Sequence, residues 1–141
     1  MKLYHSYQRT YLIYKHHSHP ILKRIVLVTE PEDTKNFVVA ASADIGSENV
    51  EGEDYFYFRI VTPNKLIEIL NEDKILKGRA TFIINEFDLS LVETEINKIL
   101  EDCIRPTWDE VSKATNRHLK WEYDNVHYET YEEAMTRIEK Q

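Results

Sequence analysis

The chain has little of what most covalent and phosphate chemistry needs. Among 141 residues it holds one cysteine, three glycines and four prolines. A lone cysteine forms no internal disulfide, which fits a reducing cytosol. The stretch 46–52 (GSENVEG) lacks the lysine and the spacing of a P-loop. No nucleophile elbow and no HExxH motif occurs, and no cofactor fingerprint is present. No apolar run approaches the roughly 18 residues of a membrane helix. The opening MKLYHSYQRTYLIYKHHSH has no apolar core or small-residue cleavage site of a secretory signal. Acid is missing from residues 1–29, which carry five cations: Lys2, Arg9, Lys15, Lys23 and Arg24. That leaves 13 of the 18 basic residues against all 25 acidic ones, a net of −12 within a total of −7. Such a body disfavours nucleic acid, whose phosphates need a cationic surface. It suits a basic protein partner, because complementary fields speed encounter.

What is present is a folded, soluble composition, 42% hydrophobic and 30% charged. The length fits one domain with a real core. Residues 1–19 read as an N-terminal arm rich in tyrosine and histidine, with Tyr4, Tyr7, Tyr11 and Tyr14 at helical spacing. Residues 20–141 read as a single α+β domain. Strands are expected over 21–28, 37–45 and 55–61, joined by turns, as an antiparallel meander. The third, in DYFYFRIV, alternates Tyr55, Tyr57, Arg59 and Val61 with Phe56, Phe58 and Ile60. Thr62-Pro63 then turns the chain into a helix, with threonine as cap and proline in the first turn. Leu66, Ile67 and Leu70 give that helix an apolar face. A fourth strand is expected over 79–86.

Three capping boxes follow, each before an amphipathic run: Ser90–Glu93, Thr107–Glu110 and Thr130–Glu133. A short last strand is expected at 121–124. The expected fold is α+β: a mostly antiparallel sheet of about four to five strands with helices packed on one face.

Chemical constellations are sparse. His16, His17 and His19 cluster without an acid or cysteine nearby, so they read as a solvated loop and no metal site is expected. Cys103 with His118 or His127 has the residue types of a thiol dyad. Yet Cys103 falls on the apolar stripe of a helix with Val92, Ile96, Ile99 and Leu100, where free cysteine is usually core. Glu101-Asp102 and Glu132-Glu133 are adjacent on helices and point different ways. No catalytic residue is assigned.

Several segments together resemble one family. They are Phe37 to Gly46, the acidic loop Glu48 to Glu53, Ile60-Val-Thr-Pro63 with Leu66, and Gly78-Arg79 before an apolar strand ending Phe87-Asp88. Trp108 with its helix and Trp121-Glu122-Tyr123 complete the series. Their order and spacing resemble the bacterial polymorphic-toxin immunity proteins numbered eight, over roughly residues 20–126. Asn64-Lys65 departs from the family, where an aromatic often follows Thr-Pro.

The resemblance implies a cytoplasmic, non-enzymatic protein of the kind found in contact-dependent growth inhibition. It would bind the C-terminal domain of a cognate secreted toxin, often a nuclease with a basic surface. The expected contact patch is Asp44, Glu48, Glu51, Glu53 and Asp54, five carboxylates on one loop and its edges. A second candidate is Glu122 and Asp124 beside Trp121. The alternatives are a small hydrolase or nuclease using Cys103, His118 and His127, or an adaptor docking through the tyrosine arm. The sequence fixes no oligomeric state.

Overall fold

The structure, a computed structural model, describes residues 18–48, 50–124 and 131–139. Most of the expected arm and the Thr130 box lie outside these residues. Strand β1 (Pro20–Leu27) pairs antiparallel with β2 (Val38–Ser47), and β2 with β3 (Asp54–Val61). This is the expected meander, with a register shift between Leu22 and Arg24 in β1. Strand β4 (Thr81–Ile83) and strand β5 (Lys120–Trp121) both add to β3. Strand β5 lies antiparallel beside Phe56 and Tyr57, and β4 parallel beside Arg59 to Val61. Since β2 occupies the other side of β3, the two short strands share one edge. The fold is therefore α+β around a five-stranded, mostly antiparallel sheet.

The alternation in DYFYFRIV separates two faces. Phe56, Phe58 and Ile60 are buried with Val39, Ala41, Ala43 and Ile45 of β2. Tyr55 and Tyr57 point the other way and are exposed. The core is closed by helix α2 (Leu89–Glu101), whose Val92, Ile96 and Leu100 are buried. Helix α3 (Trp108–Thr115) adds Val111 and Ala114, and Leu119 follows it inward. Helix α4 (Tyr131–Glu139) exposes Met135 and Ile138. Among the described residues no helix is long and apolar enough to cross a membrane.

Four local expectations are corrected. Thr62 stands at the N-cap of helix α1 (Pro63–Asp73), with Pro63 in its first turn, but its side chain caps nothing. Its buried hydroxyl instead accepts from the Phe37 N–H at 2.9 Å and donates to the Phe37 carbonyl at 3.3 Å. Bonding the start of β2 satisfies a buried backbone donor that water cannot reach. Second, α1 buries none of its residues, so Leu66, Ile67 and Leu70 do not form a core face. Third, the expected strand 79–86 shrinks to three residues and runs parallel to β3. The crossover through α1 brings the chain back alongside the last three residues of β3, and Ala80 at φ 55 keeps the approach out of extended backbone. Fourth, α2 is capped by Asp88, not Ser90. The extended Asp88 accepts from the Ser90 N–H and hydroxyl, and Leu89 is already helical. That bond holds the Asp88 carboxyl below its ordinary range. Of the Thr107 box the threonine cap forms, the Thr107 hydroxyl accepting from the Glu110 N–H.

Candidate functional site

The β2–β3 connection begins with a close approach of backbone to backbone. A Cβ on Gly46 would lie 2.5 Å from the Gly52 carbonyl oxygen, so only glycine fits there. Gly52 itself sits at φ 101, which favours glycine again. Lys23 of β1 donates to the same Gly52 carbonyl at 2.9 Å. The acidic loop is thus folded back onto the end of the sheet.

The five carboxylates of the expected patch do not form one surface. Asp44 belongs to the face of β2 opposite the helices and is 3% exposed. It accepts from Arg24 at 2.7 Å and from the Ser42 hydroxyl at 3.2 Å. Glu53 pairs with the same guanidinium. Bonding to Glu53, then to Asp44, pushes Arg24 further from deprotonation. A buried carboxylate needs such a partner, since an unpaired charge is costly away from water. Glu48 and Glu51 remain exposed on the loop.

Asp54 has a different role. As the first residue of β3 it shares the helix-facing side with Phe56. Its Oδ2 accepts from the indole N–H of Trp108 and from that of Trp121, each at 3.0 Å. Three elements therefore meet on one carboxylate: β3, α3 and β5. No cation among the described residues lies in ion-pair distance of it. A concavity of about 470 Å³ opens beside it, walled by Val50 and Trp108, with Glu51, Glu53 and Asp54 contributing acid and Ser18 at its margin.

The second candidate joins the first through Trp121. Glu122 is half-buried and its N–H donates to the Tyr55 carbonyl at 2.9 Å. Tyr123 packs edge-on against Trp121, with ring centres 5.6 Å apart. Asp124 accepts from Arg79 at 3.4 Å, and Arg79 also bonds Asn116 at 2.8 Å. Asn116 in turn accepts from the Trp121 backbone N–H at 2.9 Å. Trp108, which the sequence offered only within the family series, is a wall of this site. Nothing in linear spacing pairs residue 54 with residue 108.

The thiol alternative meets an obstacle in the same region. Cys103 is buried beside the Thr115 hydroxyl, and burial pushes its thiol up, against thiolate formation. His118 is exposed, and His127 lies outside the described residues.

The chain is thus a small α+β domain in which a carboxylate clasped by two indoles borders an acidic, partly apolar concavity. The model of the family "immunity protein 8" matches residues 8–126, and the chain belongs to that family. The match reaches back beyond residue 20, into the segment read as an arm. No curated protein and no solved structure matches the chain.

Proposed function

We propose that this chain is the cytoplasmic antidote to one secreted toxin, and that it acts by binding that toxin's C-terminal domain rather than by catalysis. Membership of the immunity protein 8 family carries the reading. The acidic balance of the body supports a basic toxin domain, of which a nuclease is the foremost kind. Contact-dependent growth inhibition is the setting the family suggests. The contact surface we assign is the Glu51–Glu53–Asp54 end of the sheet, extended through Trp121 to Glu122 and Asp124. Glu48 adjoins it on the loop, and Asp44 supports it from beneath through Arg24.

The test is co-expression. The variable C-terminal domain of a secreted protein encoded beside this chain is expressed in cells with and without it. Growth is expected only when the chain is present. Equal death in both cultures would refute the reading for that pair.

A further inference from the structure

We infer that the concavity beside Asp54 receives a cationic side chain, arginine or lysine, from the toxin domain. This rests on the proposed function and specifies the chemistry of its contact. Three observations lead to it. The first is shape: the hollow is about 470 Å³ in volume, larger than any single side chain, with Val50 and Trp108 as apolar walls. Aliphatic stems of lysine and arginine cover such walls while their charged heads seek a partner.

The second is a preformed acceptor. Both indole N–H groups bond the same oxygen of Asp54, Oδ2. Among the described residues none donates to Oδ1. The carboxylate is held in one orientation before any partner arrives, so a cation binding it loses little to reorganisation.

The third is charge. Among the described residues, Lys23 and Arg24 already bond two residues of the rim, the Gly52 carbonyl and Glu53, with Arg24 also on Asp44, and neither pairs with Asp54. Among the described residues no cation pairs with Asp54 or Glu51, which stand beside an apolar wall. A neutral apolar guest would leave that charge desolvated and unpaired, which is costly. A guanidinium or ammonium group satisfies it, and the Trp108 ring adds cation–π attraction. The arrangement therefore selects a cation over a neutral group of the same size.

The experiment has two arms. In the first, N-acetyl-arginine methylamide, its lysine analogue and the neutral glutamine analogue are titrated into the full chain. The readout is the two indole N–H resonances, one for each tryptophan of the sequence. Both cations should shift both signals, and Asp54→Asn, which keeps an acceptor for the indoles, should abolish the shift. In the second, the toxin domain is titrated with wild type, Asp54→Asn, Glu51→Gln and the remote control Glu93→Gln. Losing one partner of a hydrogen-bonded charge pair should weaken binding about 30-fold or more for Asp54→Asn. Glu51→Gln, on an exposed loop, should weaken it several-fold and Glu93→Gln by less than about twofold, the range of a solvated charge.

Shifts by the glutamine analogue equal to those by the cations would overturn the inference, as would no shift at all. Wild-type affinity in Asp54→Asn would also overturn it while leaving the immunity function standing. A toxin domain that binds none of the proteins removes both. If neutralising Lys2, Arg9 and Lys15 moves the indole signals of the free protein, the occupant is the chain's own N-terminal segment, and the toxin assignment falls.

Discussion

At the scale of single residues, Asp54 shows how one side chain can join three elements of the fold. Its carboxylate ties two tryptophans that are far apart in sequence. Asp54→Ala removes the acceptor from both half-buried indoles. The expected loss is about 2 kcal/mol of unfolding free energy, since bonds to a charged group contribute about 1.5–3 kcal/mol and some water re-enters. Asp54→Asn keeps the acceptor oxygen and should lose less than about 1 kcal/mol, in line with a neutral bond. Urea unfolding followed by tryptophan emission checks both; an unchanged midpoint in the alanine variant would show that the clasp does not stabilise the fold. Other carboxylates act alone or in pairs. Asp44, buried, pairs with a half-exposed Arg24 on the sheet, and Asp88 starts a helix. Their roles follow from position, because the side-chain chemistry is the same in all three.

At the scale of elements, the helices divide by what they bury. Helix α2 buries Val92, Ile96 and Leu100 against the sheet, whereas α1 buries nothing and serves as the crossover between β3 and β4. Arg59 fixes that crossover by bonding Thr81 at 2.8 Å and the Lys77 carbonyl. Ile96→Ala should therefore cost about 2–5 kcal/mol, the range for emptying a packed site. Ile67→Ala, at 57% exposure in α1, should cost less than about 1 kcal/mol, the residue being mostly solvated already. Denaturant midpoints of the two variants test the contrast directly. Comparable losses would mean that α1 packs more tightly than its exposed side chains indicate. Both helices have the same amphipathic pattern in sequence, so periodicity alone did not rank them.

At the scale of the whole molecule, charge is what a partner meets first. The net charge is −7, with every acid located after residue 29. Association with the proposed basic toxin domain should slow about 10-fold or more between low and high ionic strength, because steering is screened over roughly 10 Å at 0.1 M salt. Dissociation should change far less. Stopped-flow association at several salt concentrations checks this, and a salt-independent rate would exclude electrostatic steering.

The sequence by itself determined the meander, the two faces of β3, the helix positions and the family. Those features depend on near neighbours: a period of two, a period of 3.6, a proline that cannot join a ladder, a threonine placed before a helix. It also located the acidic loop. Only the tertiary structure decided the rest. It ran β4 parallel, because a crossover helix sets direction and three residues of pattern cannot. It gave the Thr62 hydroxyl to Phe37, 25 residues away, in place of its own helix. It split five neighbouring carboxylates between ion pairs to a half-exposed Arg24, a two-indole clasp and an exposed loop. The physical reason is that hydrogen bonds and charges are satisfied by whatever folding brings within 3 Å or so, and sequence separation places no limit on that partner.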